Sequence, residues 1–390
     1  MKAVRFAVGR PFAPFEDPVG QTPVLAGTLA EAQERTLRAA GFDPTDTPPA
    51  GEPYLVYADR AWFTASFLRA LRAAGEGRAR ITDPTFLAQT GNLQSDPGRP
   101  ELAIVRGPPT LDAPDVVVDL ALRPADPLEL HPAFAHAQRP MVTGPRLVHS
   151  VEHWTHALRV NLLAMLATAE EGKADFEAAP LWSKIWTALR VLWRARGFTR
   201  YALARGLNRI GKGCRIHPTA VVEASQLGDG VEVGAYALVR GCVVGDGAKI
   251  EDYAHATVSV VGAGARLGRT CMFNFCVAAP GAFVSAGGGW QMSIFGRDSF
   301  VAMTATGYDL SFGQPIRVAS EQGIVSADTH FLGICVGHRA KIGAHARIGY
   351  GMAIPNDSFV VAPSGDVLRR WPEPVEGPVT IRDGRAVPVR

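Results

Sequence analysis

The sequence predicts an α/β domain followed by a solenoid of parallel β-strands, the two joined by helices. Three observations predict it. Up to about residue 150, short apolar runs alternate with stretches of helical period. From Val151 to Arg209 the pattern is helical. From Ile210 onward apolar residues return every 17 positions, which neither a helix period of about 3.6 nor a strand period of about two produces.

With 390 residues, 47% of them hydrophobic, the chain has room for two or three buried cores. Its 40 basic and 37 acidic residues leave a formal charge of +3, too small an imbalance to imply nucleic acid as a general partner. Cys214, Cys242, Cys271, Cys276 and Cys335 form no CxxC pair and no cluster with histidines at zinc spacing, so no metal centre is expected. An odd number of cysteines, and no signal-peptide pattern in MKAVRFAVGRPFAPFEDP, point to a reducing compartment, the cytoplasm. No apolar run reaches about 18 residues, so no spanning helix is expected.

In residues 1–150 the apolar runs Tyr54 to Tyr57, Leu102 to Val105 and Val116 to Leu120 read as strands. Thr28 to Ala40 and Ala65 to Ala74 read as helices, ending at or near Gly41 and Gly75. Residues 151–209 form a helical linker. From Leu181 to Arg215 there are nine Lys or Arg residues and no Asp or Glu, while Trp182, Trp186, Leu189 and Trp193 recur at helical spacing. Such a basic, aromatic-rich segment, 181–205, suits peripheral contact with an anionic membrane. The plainer reading is a linker helix whose Trp stripe packs against a neighbouring domain.

Residues 210–364 carry the repeat. Ile210, Leu227, Val244, Val261 and Ala278 make one ladder; Ile216, Val233, Ile250, Leu267 and Val284 make a second; Val222, Val239, Ala256, Phe273 and Trp290 make a third. Seventeen residues cannot hold two helices but can hold three short strands around a triangular coil, with each ladder pointing inward. The aligned texts IGKGCRI, LGDGVEV, VGDGAKI and VGAGARL supply glycines where the chain must turn. Ser225, Cys242, Ser259 and Cys276 form a further ladder of small groups, which makes those cysteines fillers of a corner. After an irregular insertion near 303–335 the pattern resumes with Val336, Ile342, Ile348, Ile354 and Val360, and residues 365–390 form a tail. An excursion from a rigid solenoid is a natural place for a site.

These hexads, apolar then Gly, two variable residues, a small one and another variable one, resemble the hexapeptide-repeat family over roughly 210–363. The resemblance implies a left-handed parallel β-helix, a homotrimer, and acyl transfer from acyl-CoA or acyl carrier protein. The order of regions also resembles bifunctional sugar-1-phosphate nucleotidyltransferases that carry an acyltransferase solenoid. DPVGQTPVLAGTLAEAQERTLRAAGFD, Asp17 to Asp43, is similar to the segment after their nucleotide loop. YLVYADRAWFTASFLRALRAAG, Tyr54 to Gly75, is similar to the strand and helix around their metal-binding aspartate, matched here by Asp59. The glycine-rich loop and Pro-Lys pair of active members are missing from AVRFAVGRPFAPFEDPVGQTP, so the N-terminal domain is expected to be degenerate. Were it active, Arg10 would contact phosphate and Asp59 would hold magnesium.

Acyl transfer needs a base, for which histidine is suited. His330 in SADTHFLG leads, because it follows the insertion and has Asp328 two residues earlier to orient it; His255 in EDYAHAT comes second. His338 and His345 lie in regular rungs and read as outward loop positions, and Asp298 and Asp309 are further polar candidates. Arg297, Arg339 and Lys341 would attract the cofactor's phosphates. The leading expectation is an acyltransferase acting on a sugar nucleotide or another polar amine or alcohol. The alternatives are a noncatalytic solenoid that scaffolds or binds a ligand, marked by an insertion filled with its own apolar side chains, and a surviving nucleotidyltransferase.

Overall fold

A computed structural model describes residues 1–125, 141–195, 197, 199–362, 365 and 379–388. The expected solenoid end at 364 and most of the 365–390 tail lie outside these residues; the tail's described part is a hairpin, Val379–Arg382 with Arg385–Pro388.

The N-terminal region is α/β. Its sheet contains β1 (Lys2–Phe6), β2 (Asp43–Pro44), β3 (Tyr54–Ala58), β4 (Gly77–Arg80), β5 (Leu102–Val105) and β6 (Asp115–Val117), in the order β2-β1-β3-β5-β4-β6. β1 runs parallel to β2 and β3, whereas β5 is antiparallel to β3 and β4. Both faces of β3 are buried, hence its unbroken YLVYA run. Helix α1 (Leu29–Ala39) starts with a capping box between Thr28 and Glu31, and α2 (Ala65–Ala74) is capped by Thr64 and stops at Gly75, whose φ is 101°. A short α3 (Pro84–Thr90) carries Pro at its first position and Asp83 as cap.

Three helices link the domains: α4 (Trp154–Ala178), α5 (Leu181–Ala195) and α6 (Arg200–Gly206). α4 buries its first half against both domains, from Trp154 to Ala167. α6 seals the open end of the solenoid, where the Ala224 amide donates to the Ala204 carbonyl at 2.8 Å. α5 lies on α6, Val191 against Gly206. The packed reading of its Trp stripe does not hold: Trp182, Trp186 and Trp193 are 69–80% exposed. Among the described residues no helix is long and apolar enough to cross a membrane.

The C-terminal region is a left-handed parallel β-solenoid. Two of its faces each stack eight two-residue strands, the first from Arg209–Ile210 to Ala353–Ile354 and the second from Arg215–Ile216 to Phe359–Val360. A third face runs from Val221–Glu223 to Gly289–Gln291. Neighbouring coils pair in register 17 residues apart, as Leu227 with Val244 and Val244 with Val261, and the inward residues of the three ladders form one core, except Ile210 in the first coil, which is exposed. At one corner Gly213, Gly230, Gly247, Gly264 and Gly281 hold φ between 64° and 72°, where a side chain would be strained. Between Ile294 and Cys335, where the insertion leaves, the step is 41 residues, and the last coil pairs 18 residues on, Cys335 with Ala353.

The outward residues of the first face, Val260, Val277, Ile294 and Cys335, are buried too, because Phe15, Trp154 and Leu158 of the preceding region pack on them. At that junction the Arg297 guanidinium meets both Asp17 carboxylate oxygens at 2.6 and 3.0 Å, and His338 Nε2 donates to Asp17 Oδ2 at 2.9 Å. His338 is therefore buried at 2% exposure, stacked on Phe15, and not an outward loop position.

Candidate functional site

The third face narrows at Thr306–Gly307, where Gly307 rests on the ring of Trp290. Beyond it the chain leaves the solenoid. The excursion is closed at its base by an antiparallel bridge between Leu310 and Phe331, with the Ser311 amide on the His330 carbonyl at 2.9 Å and the Leu332 amide on the Asp309 carbonyl at 2.8 Å. Further out it forms a hairpin, Arg317–Ser320 with Gly323–Ser326. Where the repeat alone suggested an irregular loop, Ile316, Val318, Ala327 and Leu332 bury themselves in the junction core. The hairpin is pinned by His153 Nε2 donating to the Ala319 carbonyl at 3.0 Å and by Asn92 Nδ2 donating to the Ser326 carbonyl at 3.4 Å.

This ladder sets the polar groups. Side chains alternate across an extended pair, so Asp309, Ser311, His330 and Leu332 share one face of it. His330 Nδ1 donates to the Ser311 carbonyl at 3.1 Å. A carbonyl only accepts, so the neutral ring carries its proton on Nδ1 and its lone pair on Nε2. Asp309 is half-buried, and burial pushes its carboxyl above the usual range. Asp328, expected to orient His330, lies at a bend with φ of 51°, and its amide donates to Ser326 Oγ at 3.1 Å.

His255 lies exposed on the third face between Leu238 and Met272. It is three coils before Thr306, roughly 14 Å along the axis at about 4.8 Å per coil, so one chain does not bring the two histidines together. A polar row, Arg240, Thr257, Asn274 and Gln291, runs up the same face toward the excursion. The cations sit elsewhere. Arg297 and Arg339 occupy the corner between the first two faces, the former on Asp17 and the latter bidentate on Asp357 at 2.7 and 2.6 Å. Lys341 is exposed on the second face between Phe300 and Phe359.

In the N-terminal region Arg10 is exposed in the loop after β1, while the Asp59 carboxylate accepts from the amides of Val8 and Gly9 at 3.1 and 2.7 Å. Those amides are the donors a phosphate cradle would use, and here a carboxylate faces them. Among the described residues no group of three or more His, Cys, Asp or Glu could hold a metal ion.

Sequence reasoning passed over a groove of about 600 Å³ on the second face, lined by Arg215, His217, Glu232, Lys249, Glu251 and Arg266. Its signal was the charged ladder Arg215, Glu232, Lys249, Arg266 at the repeat spacing. The charges are largely spent on one another, Glu232 on Arg215 and Lys249, Glu251 on Arg266. Comparison with protein families and with curated proteins finds no match for this chain.

Proposed function

We propose that this chain is an acyltransferase that moves an acyl group from acyl-CoA or acyl carrier protein to a polar amine or alcohol, a sugar nucleotide among them, beside the excursion of its solenoid. The observation that carries the reading is the half-buried His330 whose Nδ1–H is held by the Ser311 carbonyl, with Asp309 on the same face. A base needs its lone pair on a fixed nitrogen, and this hydrogen bond fixes it on Nε2.

In this reading Nε2 takes the proton of the acceptor as its nitrogen or oxygen attacks the thioester carbonyl. Backbone amides steady the oxyanion, and the C–S bond breaks to release the thiolate. The buried cysteines have no part, since burial raises their thiols far above neutrality. The repeat's family resemblance supports a homotrimer, in which a neighbouring subunit's edge would bring Arg339 and Lys341 to the donor's phosphates. A cytoplasmic setting fits such donors.

The test is free-thiol release from acetyl-CoA and longer acyl-CoAs across a panel of sugar nucleotides, amines and alcohols. We expect turnover with at least one pair, and a loss of about 10²-fold or more in His330→Ala. No turnover with any donor, joined to no thermal stabilisation by CoA, would leave the scaffold reading in its place. Full activity in His330→Ala would remove His330 as base and keep the enzyme class.

A further inference from the structure

We infer that α5 is an in-plane anchor that seats this protein on an anionic lipid bilayer. The helix is 15 residues long, and its inner side is used: Val191 packs on Gly206 of α6 and Ala195 is buried. Its outer side is an unbroken apolar arc of Leu181, Trp182, Ile185, Trp186, Leu189 and Trp193, each 52–80% exposed. In water such an arc is costly, and a contiguous exposed patch of this kind marks an interaction surface.

Charge selects the occupant. Arg190 and Arg194 edge the arc, Lys184 lies behind it, and Arg200 and Arg205 follow on α6. No acidic residue occurs from Leu181 to Val222, and the nearest before it, Asp175 and Glu177, belong to α4 across Pro180. A second copy laid on the arc would set cations against cations. An anionic bilayer supplies the complementary charge for the nearby Lys and Arg, and an interface where indole rings sit with their apolar body in the acyl region and their N–H among headgroups. At about 22 Å long, a helix of this length lies in the interface and does not span it. Because α6 ties α5 to the first coil, the anchor would hold the solenoid by its N-terminal end.

The test is co-sedimentation of the full chain with vesicles of phosphatidylcholine alone and of phosphatidylcholine with 30%, about a third, phosphatidylglycerol. We expect binding to the anionic vesicles at least about tenfold stronger, falling as salt rises. A triple variant, Trp182→Ala, Trp186→Ala and Trp193→Ala, should lose about tenfold or more of that binding while melting as the wild type does, since these rings support no core. Lys184→Glu with Arg190→Glu and Arg194→Glu should abolish the preference for anionic lipid. Binding no tighter to anionic than to neutral vesicles, or unchanged binding in both variants, would overturn the anchor. So would a wild type that ignores vesicles and a Trp variant of smaller oligomeric state, because the arc would then belong to a second copy.

Discussion

Cys242 and Cys276 show how one residue position can serve a whole stack. In each coil the corner side chain donates to the carbonyl two residues back and accepts from the amide one coil on. Ser225 Oγ bonds the Glu223 carbonyl at 2.8 Å and takes the Cys242 amide at 3.1 Å; Cys276 Sγ bonds the Asn274 carbonyl at 3.1 Å and takes the Ser293 amide at 3.4 Å. Serine and cysteine alternate because either can do both. Burial pushes the Cys242 and Cys271 thiols up to about 12, and it also raises those of Cys276 and Cys335 well above the usual thiol value. Native protein treated with a maleimide at neutral pH should therefore gain one adduct, on the half-buried Cys214, and five once unfolded. A native adduct on Cys242 or Cys276 would show that the corner opens. This ladder was legible because its partners lie 17 residues apart. His338 was not, because the residue that buries it, Asp17, lies 321 positions away.

Among the elements, α4 begins with a buried histidine cluster that its helical pattern did not reveal. His149 Nδ1 donates to the Ser150 carbonyl at 2.7 Å, His156 Nε2 to the Asn92 carbonyl at 2.9 Å, and His153 Nε2 to Ala319. The opposite nitrogens accept from Gln94, from the Glu152 amide and from Thr155. Each ring is satisfied only when neutral, which makes the trio a structural weld between α4, α3 and the excursion. Burial, aided by Arg159, holds His149 down to about 3, and burial also lowers His153 and His156. The unfolded chain takes up these protons first, near pH 6.5, so their stabilisation is complete above that pH and declines as pH falls toward about 3. His149 removes about 1.4 kcal/mol per pH unit in that window, and His153 and His156 add losses of the same sign. Melting temperature should fall steeply from pH 7 to 5, and His149→Asn should flatten the slope; equal slopes would mean the trio titrates alike in both states. The helix itself was legible from its period. The burial of the three histidines at its start was not, since histidines carry no apolar signal.

The two regions act as one body because the first face of the solenoid is apolar on both sides. After RI and QL in its first two coils, its strands read VV, VV, VA, IF, CV and AI, whereas the second face reads RI, EV, KI and RL and later FV, FV, KI and FV, its outward Phe300 and Phe359 exposed. The lost alternation was the sequence's sign that something covers that face. What covers it could not be read, because packing between regions far apart in the chain leaves no periodicity. Asp17 locks the contact. Burial opposes its ionisation, but the hydrogen bond and charge of Arg297 and the hydrogen bond from His338, whose own Nδ1 accepts the Arg297 amide at 2.8 Å, outweigh it and hold the carboxyl below the usual range. Asp17→Asn removes the charge that Arg297 and His338 share, in a partly screened setting, and should cost about 1–3 kcal/mol. Asp357→Asn breaks an equally short but exposed pair with Arg339 and should leave the melting temperature nearly unchanged. If docking on the first face couples the two regions, the first variant should split one thermal transition into two or expose the Phe12 to Asp17 loop to protease, and the second should do neither. Identical melting of both variants would place the coupling in the apolar contacts of Phe15, Trp154 and Leu158 alone, with the Asp17 cluster only setting their register.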